Sequence, residues 1–287
     1  MEETTLTEEL QRAEGLIIQN EDERARDLLR HLADDAESYV DANCPTSQEV
    51  QWFSFPTIFE RLAYRRVEND PRDLRDVGEP LDRLYADLAL ADARLGEYDE
   101  AREALKSAVR WNPMGCEYRL DLAELFRTSG NYDEYLALTY SVFERASEAR
   151  HLARAFLVFA GYFQKEGKAE AAASALRAAR RLDVHDTALD AALDQAAGTD
   201  HDPDSVTDQQ AADALAAEGL PDGANAEVAI CLLMCATDAA GAGDPATATT
   251  LTRRARDLVG EPAMRTLLDL IRATDAELAS EGGSDAE

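Results

Sequence analysis

Two cysteines one helical turn apart are the clearest candidates for chemistry in this 287-residue chain. Cys231 and Cys235 lie in the stretch AICLLMCA, and thiolates at that spacing can in principle hold a metal ion. The stretch is apolar throughout and contains no histidine or aspartate to complete a ligand set. Cysteines in such surroundings are typical of a helix core. We therefore predict buried thiols and no metal or other cofactor, with a metal site as the weakest alternative.

The other polar residues form no catalytic pattern. His31, His151, His185 and His201 share no motif spacing. The acidic stretch around His201, DHDPD, lacks the central glycine and the final glutamate of a calcium-binding loop. The sequence contains no glycine-rich phosphate loop and no nucleophile elbow. We therefore predict that the protein is not an enzyme.

The charge balance excludes one class of partner. The chain carries 58 acidic residues against 29 lysines and arginines, a net charge of −29. Such a surface repels phosphate backbones, so nucleic acid is not an expected partner. The acidity indicates either a basic partner or adaptation to a salt-rich cytoplasm, and the second reading predicts that the melting temperature rises with salt.

The N-terminal residues and the apolar runs predict a cytoplasmic location. The first twenty residues are acidic and lack the basic-then-apolar order of a signal peptide. No apolar run reaches the length of a membrane span, so no membrane association is expected.

A repeat organises the middle of the chain. Gly96 and Gly130 are 34 residues apart, Gly167 follows 37 residues later, and a fainter copy is centred on Gly243. The apolar residues of the first copy are Tyr85, Leu88, Ala89, Tyr98, Ala101, Leu105 and Ala108. Apolar residues three and four apart give each helix one apolar face, and a glycine in left-handed conformation ends the first helix of each pair. We therefore predict helix–turn–helix units that stack on one another.

This pattern, above all the stretch LGEYDEAREALKSAVRWNP, resembles the tetratricopeptide repeat family. The resemblance covers about residues 81–184. It implies an all-α fold in which paired helices form a right-handed superhelix, an α-solenoid with helical caps. The chain departs from the family pattern at Asp92, Arg119 and Ser147, where an aromatic residue, a large residue and a proline are usual.

Composition and periodicity predict five regions. Residues 1–80 form an N-terminal helical cap that includes a degenerate repeat, and 81–196 hold three repeats and one further helix. Residues 197–206 are a polar linker, and 207–280 form a helical hairpin region with the weak fourth repeat. Residues 281–287 are predicted to be disordered.

The N-terminal region also holds the densest apolar cluster of the chain. The cluster consists of Trp52, Phe53, Phe55, Ile58, Phe59 and Leu62. We expect it to pack in the core, with a partner-binding patch as the alternative. A helix is predicted from about Pro56 to Asn69, between a connector and a loop over 70–80.

The resemblance also implies a candidate binding surface. In tetratricopeptide proteins the first helices of successive pairs line a concave groove. The matching positions here are Arg83, Leu90, Arg94, Leu120, Glu124, Arg127, Arg154, Leu157 and Lys165. Arginine binds carboxylates in a bidentate way, so these bases predict acidic or carboxylate groups on the partner. The alternative is a solvated wall in which Glu117 and Glu124 pair with the arginines.

These observations favour a non-enzymatic adaptor or scaffold that holds a peptide segment of a partner protein in its groove. The alternative is a structural homo-oligomer that assembles through terminal repeats. For that alternative, residues 220–280 would supply the apolar outer face.

Overall fold

Helices make up most of the structure, which confirms the all-α prediction. The computed structural model describes residues 5–282, and of 272 and 274–282 only the backbone. The helices in chain order are α1 (Leu6–Ile18), α2 (Asp22–Asn43), α3 (Ile58–Glu68), α4 (Leu81–Leu95), α5 (Tyr98–Trp111), α6 (Cys116–Thr128), α7 (Tyr132–Arg145), α8 (Ala149–Lys165), α9 (Ala169–Arg181), α10 (Thr187–Ala196), α11 (Asp208–Ala217), α12 (Ala226–Gly241), α13 (Pro245–Val259) and α14 (Glu261–Gly282). None of the described helices combines the length and the apolar character that crossing a bilayer requires.

The turns between helices have the backbone that the repeated glycines predict. Gly96, Gly130, Gly167 and Gly243 have φ values of 84°, 81°, 70° and 78°, in the left-handed region that residues with a side chain rarely adopt. Asn20 takes the same conformation, with φ 59°, between α1 and α2. At Asn20, Gly96, Gly167 and Gly243 the helices on either side of the turn pack as pairs, which are α1 with α2, α4 with α5, α8 with α9 and α12 with α13.

The chain divides into two units, Met1–Ser141 and Val142–Glu287, and the division falls within α7. In the first unit, α2 packs against both α1 and α4, and α4 packs against α5. Their apolar faces meet in one core, in which Leu10, Leu29 and Leu84 are completely buried. The core residues of α4 hold this helix in place, and α4 carries Arg83, Leu90 and Arg94 of the predicted groove.

Two short strands in the first unit were not predicted. β1 (Val50–Phe53) and β2 (Asp73–Asp76) pair in parallel, with Val50 opposite Asp73. Both segments are interpreted from sequence as connector and loop. Four residues carry too little alternation to reveal a strand, and in β2 only Leu74 is buried.

The aromatic cluster is largely core. Phe53, Phe55 and Phe59 are buried, and the first two rings stack with their centroids 4.8 Å apart. Ile58 and Leu62 differ from the expectation, because they lie on the outer side of α3 with 61% and 39% of their surface exposed.

The helix α3 begins later than predicted. Thr57 rather than Pro56 sets its start, because the Thr57 hydroxyl accepts a hydrogen bond from the Phe59 amide at 3.2 Å. The Glu60 side chain in return accepts from the Thr57 amide at 3.1 Å, which completes a capping box.

In the second unit, α9 packs against α8, α11 and a 3₁₀ turn at Pro203–Ser205. This turn belongs to segment 197–206, the predicted polar linker, and it is tied to α9. Arg177 donates to the Pro203 carbonyl at 3.0 Å, and Arg180 donates to Asp204 at 2.7 Å. Of the predicted tail, 281–287, the last five residues lie outside the described part of the chain.

Candidate functional site

The nine residues of the predicted groove are divided between the two units. Three lie on α4, three on α6 and three on α8, so the first six belong to the first unit and the last three to the second. They are Arg83, Leu90 and Arg94, then Leu120, Glu124 and Arg127, then Arg154, Leu157 and Lys165.

The two arginines on α4 are bound by the N-terminal hairpin. Arg83 donates from Nε to Oε1 of Glu14 on α1 at 2.6 Å. Arg94 donates to the backbone carbonyl of Ile17 at 2.8 Å and to Asp22 at 3.3 Å. Both guanidinium groups therefore serve to hold α1 and the start of α2 against α4.

The residues on α6 and α8 have mixed surroundings. Arg127 donates to Glu124 at 2.7 Å, one turn away on the same helix. Leu120 is only 2% exposed, so its side chain contributes to helix packing. On α8, Arg154 and Leu157 are half-buried, and Lys165 is exposed.

An acidic cavity lies where α4 and α6 face each other in the first unit. We call it the α4–α6 cavity; its volume is about 790 Å³. Its principal lining residues are Asp82, Arg83, Asp87, Leu90, Glu117 and Asp121. Two of the predicted groove residues, Arg83 and Leu90, are in this wall. The acidic character of this wall was not predicted, because Asp82 and Asp87 of α4 are not among the predicted groove positions.

A buried hydrogen-bond network fixes one wall of this cavity. Asp82 is 3% exposed and accepts hydrogen bonds from Asn112 at 3.1 Å, from the Tyr118 hydroxyl at 3.2 Å and from the Ser54 hydroxyl at 3.2 Å. Burial raises the pKa of Asp82, and these donors act in the opposite direction. The network holds the Tyr118 ring, whose own pKa is raised by burial, in the cavity wall.

Asp87 differs from Asp82, because one of its carboxylate oxygens has no donor. Its Oδ2 is buried and accepts no hydrogen bond. Burial and the nearby charge of Glu14 raise the pKa of Asp87 to about 7, although Arg83 acts against this. A buried acceptor without a donor is energetically costly.

The cysteines are all buried. Cys231 and Cys235 are 2% and 5% exposed on α12, among other apolar side chains of the same helix. Among the described residues, no group of three or more His, Cys, Asp or Glu side chains is placed to hold a metal ion.

No protein-family model matches the chain, and no curated protein shows a significant match to it.

Proposed function

We propose that this protein is a non-enzymatic interaction protein of the tetratricopeptide type, which holds a peptide segment of a partner protein. In this proposal the paired helices stack as a right-handed superhelix and the protein acts in the cytoplasm. The left-handed turns at Gly96, Gly130, Gly167 and Gly243 support the repeat. The opening of a cavity between α4 and α6, the first helices of two successive repeats, supports a binding role.

The chemistry of the α4–α6 cavity favours a basic segment. The observation that carries this proposal is the buried Oδ2 of Asp87, which has no hydrogen-bond donor in a wall rich in carboxylates. An ammonium or guanidinium group would satisfy it. Leu90, 44% exposed at the same cavity, offers an apolar contact beside the charge. The partner segment we propose therefore carries a lysine or arginine next to an apolar side chain.

This proposal replaces the acidic partner expected from the sequence, as far as the first unit is concerned. That expectation depended on arginines at the groove positions. In the first unit Arg83 is bound by Glu14, Arg94 by Asp22, and Arg127 by Glu124.

Selection from a random peptide library tests the proposal directly. The immobilised full-length protein should enrich sequences in which a basic residue adjoins an apolar one. A synthetic peptide of the enriched sequence should bind more weakly to Asp87→Asn, because the substitution removes the carboxylate charge. Asp41→Asn is the matched control, since Asp41 is an exposed residue of α2 outside the cavity wall, and the substitution makes the same change in net charge.

Two results would contradict the proposal. One is enrichment of acidic sequences. The other is an equal affinity of the selected peptide for the two variants, which would assign the binding to the overall negative charge rather than to the cavity.

Self-association is the second candidate function. The observation that favours it is the exposure of Leu270 on α14 and Met234 on α12, at 60% and 38%. Light scattering at several concentrations tests it. A mass that rises above that of the monomer, 31.5 kDa, and falls again in Leu270→Gln would support assembly through this region. A constant monomeric mass would exclude it.

A further inference from the structure

The second unit contains a larger cavity with a different character. It lies between the start of α8, the end of α9, the second half of α13 and the start of α14, and its volume is about 1310 Å³. We call it the α8–α13 cavity. Five arginines line it: Arg150, Arg181, Arg253, Arg254 and Arg256. The same wall also carries six carboxylates, so the arginines give a positive charge to part of the cavity rather than to the whole of it.

Acidic residues neutralise one side of this cavity. Arg181 donates to the backbone carbonyl of Asp222 at 2.6 Å and lies 4.0 Å from the Asp208 carboxylate. Arg256 pairs with Asp257 at 2.7 Å. Of the other carboxylates in the wall, Glu261 at the start of α14 accepts from Arg265 at 2.9 Å, and Glu148 pairs with Arg150. Asp183 lies just after the end of α9.

The remaining three arginines lie on α8 and α13, on the other side of the cavity. Arg253 is exposed and makes no hydrogen bond or ion pair with any residue that the structure describes. Arg254 is oriented by a hydrogen bond from its Nε to the Ser147 carbonyl at 3.2 Å. Arg150 pairs with Glu148 at 2.7 Å, and its side chain remains 63% exposed.

The half-buried side chain of His151 on α8 lies close to the same arginines. The pKa of His151 is lowered to about 4, first by burial and then by the positive charges of Arg150, Arg154 and Arg254, while Glu148 acts in the opposite direction. His151 is therefore neutral near pH 7, and the guanidinium groups supply the positive charge.

We infer that the α8–α13 cavity binds a small oxyanion with two or more negative charges, a phosphate or a set of carboxylates, through Arg150, Arg253 and Arg254. Guanidinium groups form paired, charge-assisted hydrogen bonds with the oxygens of both chemical groups. Arg253 has its full hydrogen-bonding capacity left for such a ligand. This site is separate from the α4–α6 cavity, has the opposite charge preference and does not depend on the proposed function.

Isothermal titration calorimetry with pyrophosphate and with citrate tests the inference and distinguishes the two sources of negative charge. The ionic strength is held at about 0.15 M with sodium chloride, so that general screening is constant. At least one of the two anions should bind saturably at one site. Its affinity should be about tenfold or more lower in Arg150→Gln/Arg253→Gln, because two charge-assisted contacts are lost.

A matched control separates the site from the net charge. Arg61→Gln/Arg65→Gln removes two positive charges from α3 in the first unit, where neither arginine side chain makes a hydrogen bond or ion pair with a described residue. This variant should bind the anion as the unmodified protein does. An equal loss in both variants would overturn the inference, and so would the absence of saturable binding. Binding of a hexaglutamate peptide but of neither small anion would also overturn it, in favour of an acidic protein partner.

Arg253→Gln alone keeps the test informative if the double variant fails to fold. Because Arg253 is exposed and bonds to no described residue, its loss should leave the melting temperature unchanged. The single variant should still bind the anion more weakly, and an unchanged affinity would contradict the assigned role of Arg253.

Discussion

Arg83 on α4 and Glu14 on α1 form an ion pair in which Nε of the arginine lies 2.6 Å from Oε1 of the glutamate. The pair connects two helices that are far apart in sequence. The repeat pattern predicts that Arg83 binds a ligand, but here Arg83 binds Glu14. The pair lies beside Asp87, whose pKa is raised by the charge of Glu14 and lowered by that of Arg83. The N-terminal hairpin is therefore part of the surroundings of the α4–α6 cavity.

We expect this ion pair to make a modest contribution to stability. The Arg83 and Glu14 side chains are 38% and 35% exposed, so water screens their attraction. A double-mutant cycle with Glu14→Gln and Arg83→Gln should give a coupling free energy of about 0.5–1 kcal/mol in urea denaturation. Strictly additive effects would show that the contact contributes nothing to the fold.

Asp87→Asn should stabilise the protein at alkaline pH. The folded-state pKa of Asp87, about 7, is raised above its ordinary value of 3.8, so the folded protein holds this proton more tightly than the unfolded chain. The stabilisation from the proton is complete below about pH 4 and is lost as the pH rises through about 7. Asparagine stays neutral, so the free energy of unfolding of Asp87→Asn should exceed that of the unmodified protein by an amount that grows over this pH range to about 1–2 kcal/mol. This gain is smaller than the whole pKa shift implies, because Asp87 is partly exposed to solvent.

Denaturation of both proteins at pH 4, 6 and 8 measures this difference, with Asp41→Asn as the control for a charge change at an exposed site. A difference in the free energy of unfolding that is the same at all three pH values would mean that Asp87 titrates as an ordinary aspartate.

Two glycine substitutions should change stability in opposite directions. Gly167→Ala places a side chain on a left-handed residue with φ 70°, at a cost of about 1–2 kcal/mol. Gly15→Ala lies within helix α1, where the new Cβ meets no atom within 4 Å, and should stabilise by about 0.5–1 kcal/mol. Thermal unfolding of the two variants measures both effects. A destabilising Gly15→Ala would reveal crowding on α1, and a neutral Gly167→Ala would contradict a backbone requirement at the turn.

The net charge of −29 should make stability depend on salt. Repulsion among the carboxylates opposes the folded state, and added salt screens it. The melting temperature should therefore rise between dilute buffer and about 1 M potassium chloride, where the screening length falls to about 3 Å. Potassium sulfate at equal ionic strength serves as a comparison, because an effect of screening alone should be similar for the two salts. A melting temperature that does not rise with salt would argue against adaptation to a salt-rich cytoplasm.

Periodicity predicted most of the helices because they are longer than two turns and most of them have one apolar face. The turn conformations were also predictable, since Gly96, Gly130 and Gly167 occur where a side chain would strain the backbone. The strands at Val50–Phe53 and Asp73–Asp76 were missed because each is only four residues long and is stabilised by its partner rather than by its own pattern. The exposure of Ile58 and Leu62 was missed for a related reason, because an apolar residue does not specify whether another element covers it.

The sequence by itself determined the helical class, the helix pairs and the conformation of the turns between them. These properties depend on residues close together in the chain. Only the tertiary structure decided which charges meet. It pairs Arg83 with Glu14 and Arg94 with Asp22, leaves an oxygen of Asp87 without a donor, and gathers Arg150, Arg253 and Arg254 around one cavity. The reason is physical: the free energy of a charge depends on its burial and its neighbours, and both are set by packing between distant segments.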